Sequence, residues 1–151
     1  MARNSAKKGF TLVEMIIVIA LIAIITAIAT PGYRAFMEQR RLKGAARQVM
    51  THLMEARMKA VSINERVKVS FESNHEYEMW NDANSNGTVA DNEGDDIERD
   101  LYPDYYDVTF SATADPVFQP NGTATGSTIT LTNGSGTQTV SVSTAGRVKI
   151  N

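Results

Sequence analysis

Three hydrophobic periods follow one another along the chain. From Phe10 to Ala29 nearly every residue is apolar, and Glu14 is the one charge in the run. A bilayer core takes about 20 such residues at ~1.5 Å rise each, so this stretch suffices to span a membrane as a helix. Farther on, Leu42, Ala46, Val49, Leu53, Ala56 and Ala60 recur at steps of four and three, the spacing of one helix face. Arg40, Lys43, Arg47, Arg57 and Lys59 fall mainly off that stripe, and the pattern stops near Ser62–Asn64. Pro31 and Gly32 predict a bend in one long helix rather than its end.

The third pattern has period two. Val67, Val69 and Phe71 alternate with Lys68 and Ser70; Tyr77 and Met79 alternate with Glu76 and Glu78. The pairs Val108/Phe110, Ile129/Leu131, Val140/Val142 and Val148/Ile150 continue it. Each run predicts a short strand with one apolar and one wet face. The sequence NGSG at Asn133–Gly136 predicts a tight hairpin between two of them. An antiparallel sheet of this kind buries one side, and the helix stripe is the available cover. The fold class expected is therefore α+β: a long amino-terminal helix packed on an antiparallel sheet. The expected division is residues 1–9 ahead of the apolar run, 10–30 as a transmembrane helix, 31–63 as an amphipathic helical stem and 64–151 as a β-sheet domain.

Glu14 is the anomaly. A charge at membrane depth costs roughly 3 kcal/mol or more, and by default marks a functional residue. A lone carboxylate in hydrocarbon takes up a proton or finds a cation. An ordinary secretory signal ends in a small-residue cleavage site after its apolar region. Here the small residue, Gly9, precedes the apolar run, so cutting there leaves the greasy helix on the mature chain.

The unbroken string Lys7, Lys8, Gly9, Phe10, Thr11, Leu12, Val13, Glu14 resembles the leader of type IV pilins and type II secretion pseudopilins. Pro31 falls where many pilins carry a helix-kinking proline. The resemblance implies that a membrane aspartyl peptidase cleaves after Gly9 and methylates the new amino terminus, Phe10. It implies that Glu14 serves assembly, pairing with the terminal amine of a neighbouring subunit that its own helix cannot replace. Downstream, LMEARMKAVSINERVKVSF, then VFQPNGTATGSTITL and a closing GRVKI, resemble the GspH/FimT group of minor pilins and pseudopilins. The partners implied are other pilin or pseudopilin subunits, the prepilin peptidase and the membrane, with no small-molecule substrate and no required cofactor. The location implied is the inner membrane, crossed once, with the carboxyl-terminal domain in the periplasm or in a filament outside.

Charge adds detail. The net value of −2 over 151 residues hides a polarity. Between Tyr33 and Lys68 nine Lys and Arg face three acids, while between Glu72 and Asp107 twelve acids face only Arg99. Such blocks are solvated faces or complementary surfaces of neighbouring subunits. Arg3, Lys7 and Lys8 flank one end of the apolar run, and Arg34, Arg40, Arg41 and Lys43 the other, so the positive-inside rule leaves orientation open. Cysteine is absent, which excludes a disulfide framework. Removing the anchor leaves about 120 residues, enough for one domain with its own core.

Two further patterns carry candidate chemistry. Asp82, Asn84, Asn86, Gly87 and Glu93 satisfy a calcium-loop spacing, D-x-[DN]-x-[DN]-G-x₅-E, with Thr88 offering a backbone carbonyl. Asp91, Asp95 and Asp96 add charge nearby. The flanks EYEMW and GDDIERDLY are not helical, so a solvated turn is the alternative to calcium. At the carboxyl end Arg147 and Lys149 share one strand face, where two cations could touch DNA phosphates or simply guard an edge. A DNA-uptake pilin and a membrane-anchored calcium-binding adhesion module are thus the alternatives to a filament subunit. No catalytic constellation stands out, so no enzyme is expected. His52 on the helix and His75 in a turn are expected to be solvated.

Overall fold

The computed structural model describes residues 9–84, 86 and 97–151. Helix α1 spans Leu12–Ile63, with Pro31 inside it, so the proline does not end the helix. Its carboxyl end is set by Asn64, whose φ of 57° is the left-handed conformation that closes helices. Among the described residues eight strands follow: β1 Val67–Ser70, β2 Glu76–Asn81, β3 Arg99–Asp100, β4 Thr109–Ala112, β5 Val117–Phe118, β6 Ser127–Asn133, β7 Gly136–Val142 and β8 Val148–Ile150. The chain divides into two compact units, Met1–Phe36 and Met37–Asn151.

In the first unit every residue from Gly9 to Phe36 is exposed. The hydroxyls of Thr26 and Thr30 donate to the carbonyls of Ile22 (2.9 Å) and Thr26 (2.6 Å). These back-bonds satisfy polar groups that an apolar surrounding could not.

The second unit holds the core. Leu42, Ala46, Val49, Leu53, Ala56 and Ala60 are all buried, joined by Ala45 on the same face. They form one cluster with Val67, Val69, Tyr77, Met79, Phe110, Phe118, Ile129, Leu131, Val140 and Val142. Burying Leu53 and Ile129 fully is worth about 1.5–3 kcal/mol each against exposure.

The strands form two sheets where the period-two pattern suggested one. One has the order β3-β2-β1-β5 and the other β4-β6-β7-β8. Alternation marks which side of a strand is apolar but not which strand is its neighbour, so the split is invisible in the pattern. All observed pairings are antiparallel. Asn133 pairs Gly136, leaving Gly134 and Ser135 as the two-residue turn of the β6–β7 hairpin. The Asn133 side chain shapes that turn by accepting from the Ser135 N–H at 2.9 Å.

Three local expectations are corrected. Ser70, placed on a wet face, is buried, and its hydroxyl donates to Glu72 at 2.8 Å. β1 stops at Ser70, so Phe71 lies beyond the strand, where its ring stacks edge-on with Phe110 at 5.1 Å. Alternation also fails at the end of β2, where Met79, Trp80, Asn81 and Asp82 are all buried in succession.

Candidate functional site

The amino-terminal end of α1 is built from Thr11 and Glu14. Thr11 precedes the first helical residue and accepts the Glu14 N–H on its hydroxyl at 3.3 Å. Glu14 reaches back with one carboxylate oxygen to the Thr11 N–H (2.8 Å) and hydroxyl (2.9 Å). This T-x-x-E exchange is a capping box, which satisfies donors that a helix start otherwise leaves open. Glu14 thus has hydrogen-bond partners within its own chain, and these neutral groups leave its charge uncompensated. The spacing of Thr11 and Glu14 carried that signal in the sequence. The carboxylate also sits where the helix dipole favours negative charge.

Gly9 and Phe10 lie just before the helix and are exposed, Phe10 at 84%. A processing enzyme needs an extended, reachable backbone, and both residues precede the first turn of α1. From Leu12 to Phe36 the apolar side chains are exposed: Ile19, Ile24, Ile25 and Ile28 are all more than half exposed. By length and composition α1 can cross a membrane.

The other candidate residues lie elsewhere. Asp82 is buried, and its Oδ1 accepts the Asn86 N–H at 3.1 Å; Asn84 accepts the same N–H at 2.9 Å. Gly87, Thr88, Asp91, Glu93, Asp95 and Asp96 lie outside the described residues, so the calcium pattern is described only over its first three positions. Arg147 is exposed in the turn before β8, and Lys149 is exposed within that strand.

The histidines are not the solvated residues expected. His52 is half-buried, and its Nδ1 hydrogen-bonds the hydroxyl of Tyr77. Burial first, and then the Arg99 charge, hold His52 below its ordinary pKa, while burial pushes the Tyr77 hydroxyl up. Which of the two donates is set by the imidazole tautomer. His75 is also half-buried, with Nδ1 at 3.0 Å from Asp100. Tyr77 and Asp100 stand 25 residues from their respective partners, so sequence spacing gave no sign of either contact.

A profile of the prokaryotic N-terminal methylation motif matches residues 4–30. The family profile of type II transport protein GspH matches residues 45–146, two thirds of the chain. The chain belongs to the GspH family. Similar solved structures share its fold. Type IV minor pilin FimU of Pseudomonas aeruginosa is 20% identical, with a TM-score of 0.59 over 77% of this chain and 92% of its own. Minor pseudopilin EpsH of Vibrio cholerae is 10% identical, with a TM-score of 0.58 over 74% of this chain and 96% of its own. A fimbrial protein of Moraxella nonliquefaciens is 46% identical over 41 residues. That match spans 27% of each chain, so about a quarter of that relative's length is covered.

This GspH-family chain is a pilin-like protein of the minor pilin or pseudopilin class, with the long amino-terminal helix and antiparallel sheets of that fold. Its family is one of structural subunits. The methylation motif spans Gly9, Phe10 and Glu14, the residues at the start of α1. The family match favours neither the DNA-uptake nor the calcium-adhesion alternative.

Proposed function

We propose that the protein is a minor subunit of a thin filament, a type II secretion pseudopilus or type IV pilus. It waits in the inner membrane, held by α1, with its amino terminus in the cytoplasm and its sheets on the far side. Prepilin peptidase cuts between Gly9 and Phe10 and methylates Phe10. The chain acts as a part, the substrate of that enzyme rather than an enzyme itself.

One observation carries this reading: the apolar surface from Phe10 to Phe36 is entirely exposed in the single chain. Exposed apolar surface of that extent needs a cover. Lipid supplies it before assembly, and the anchors of neighbouring subunits supply it afterwards. Within a packed anchor bundle, Glu14 keeps one oxygen on Thr11 and presents its charge to the methylated amine of the next subunit. Methylation leaves that amine positive.

The test is mass spectrometry of the mature chain, followed by fractionation of sheared filaments. A mature mass beginning at methylated Phe10, and co-sedimentation with the major subunit, are expected. A chain that keeps residues 1–9 and stays with the membrane after shearing would overturn the proposal. Deleting the gene and scoring protein secretion and pilus-driven motility in parallel distinguishes the two machines.

A further inference from the structure

Strands β2 and β3 bring two carboxylates together. Glu76 and Asp100 are direct register partners across the antiparallel ladder. Like charges directly opposite destabilise a strand pair, and β3 has only two residues with which to hold on. His75 supplies the third group. Its Nδ1 lies 3.0 Å from Asp100 Oδ1 and 3.9 Å from Glu76 Oε1. One ligating atom from each residue lies within 4.8 Å of the other two. Ligand atoms on a tetrahedral zinc at ~2.1 Å stand about 3.4 Å apart, so the cluster has close to the spread required.

The backbone around these side chains is fixed. The Ser73 hydroxyl accepts the N–H groups of His75 (3.2 Å) and Glu76 (3.0 Å). The His75 carbonyl accepts the N–H of the fully buried Leu101 at 2.9 Å. Asp100 Oδ1 also accepts the Tyr102 N–H at 2.7 Å, and the Tyr102 ring lies against the imidazole at 5.5 Å. Tyr102 thus orients two of the three side chains, Asp100 and His75, as residues just outside a metal's own ligands do.

We propose that His75, Glu76 and Asp100 bind a divalent cation of the zinc class, which staples β3 to β2. The cation neutralises the opposed carboxylates, and water completes its coordination. Calcium fits this set poorly, because it takes six to eight oxygens and here one ligand is an imidazole nitrogen. None of the three residues belongs to the Asp82–Glu93 pattern.

The experiment uses the full chain in detergent after chelator treatment, titrated with zinc chloride by calorimetry and followed by proton NMR of its two histidines. Binding of one zinc is expected, with a shifted imidazole signal and a melting temperature raised by about 4 °C or more at saturation. His75→Ala is expected to weaken binding at least tenfold and to remove the shifted signal. Asp100→Asn is expected to weaken it in the same direction. His52→Gln, which alters the other histidine, is expected to bind zinc as the parent does. Absence of heat and of any imidazole shift in the parent would overturn the site. Unchanged affinity in His75→Ala would do the same, by locating the cation on other acids.

Discussion

Arg41 and Asp107 form a bidentate pair, with Nε donating to Oδ1 at 2.6 Å and Nη2 to Oδ2 at 2.8 Å. The pair ties α1 to the segment just before β4. Asn133 extends it, donating from Nδ2 to Asp107 at 3.3 Å and to the Glu38 carbonyl at 2.9 Å. The β6–β7 hairpin is thereby drawn onto the helix. Arg41 also stacks over the Tyr106 ring at 4.8 Å. Both charged side chains are about four-fifths shielded, exposed only 18% and 20%, so more remains of their attraction than in a surface pair. Arg41→Ala is expected to cost about 1–2 kcal/mol in denaturant unfolding of the solubilised chain. The Arg41 hydrogen bond, foremost, holds the Asp107 carboxyl below the usual carboxylate range. Its contribution is full above the unfolded value of about 3.9 and fades as pH falls through the lower folded value. In Arg41→Ala that acid-dependent share is lost, and unfolding curves at pH 5 and pH 2.5 are expected to lie closer together than in the parent.

His52 responds in a higher window. Its folded pKa is depressed, chiefly by burial against Tyr77 and next by Arg99. Below the ordinary value of about 6.5 the unfolded chain takes up a proton that the folded chain resists. Stability is thus complete above that value and declines as pH falls from it toward the folded pKa. His52→Gln is expected to remove this decline while keeping a hydrogen-bonding partner for Tyr77. Melting temperatures from pH 7.5 to pH 5 check it: a slope equal in parent and variant would show that His52 contributes nothing to the pH dependence.

Much of this was legible in the pattern of residues, and the remainder was hidden for physical reasons. The stripe Leu42 to Ala60 appears buried as its spacing requires, because one helix face has only one way to be covered. Ile129, Leu131, Val140 and Val142 point inward as their alternation predicts. The hairpin at Asn133–Gly136 follows from its turn residues. Long-range pairs were not legible. Arg41 and Asp107 are 66 residues apart, and His52 and Tyr77 are 25 apart; only folding brings them together. The division into two sheets was hidden because strand faces do not encode neighbours. The Thr11–Glu14 box was within reach but overshadowed by the membrane cost of the same glutamate. The Asp82–Glu93 pattern extends beyond the described residues, and only Asp82, Asn84 and Asn86 have a described place.

The capping box separates two roles of Glu14 that a single substitution would merge. Thr11→Val removes the hydroxyl that both donates to Glu14 and accepts its N–H. It leaves the carboxylate, along with the Thr11 backbone N–H that donates to it. Losing a cap typically costs a helix about 1 kcal/mol, which a long anchor in lipid tolerates. Glu14→Ala removes both the cap and the charge. Thr11→Val is therefore expected to be processed and to enter filaments at near-parental levels. Glu14→Ala is expected to insert in the membrane yet reach filaments poorly. Immunoblots of membrane and sheared-filament fractions compare them; equal filament levels for Glu14→Ala and parent would remove the charge from assembly.

Gly146 shows a position where no side chain fits. Its φ of 71° is left-handed, and a Cβ there would stand 1.9 Å from the Gly122 carbonyl oxygen. That oxygen already accepts from Arg57 Nε at 3.0 Å, which joins α1 to the loop before β6. Gly122 is itself at a φ of 82°, so it has little freedom to retreat. The Gly146 N–H donates to the Ser143 carbonyl at 2.8 Å and closes the turn between β7 and β8. An alanine must therefore accept backbone strain of about 1–2 kcal/mol and also break either the turn or the Arg57 contact. Gly146→Ala is expected to lose roughly 3 kcal/mol in total. Gly126→Ala is the control, since its added Cβ meets nothing nearer than 3.6 Å. It is expected to change stability by under about 1 kcal/mol. Equal melting temperatures for the two variants would show that the close approach of Gly122 and Gly146 does not constrain the fold.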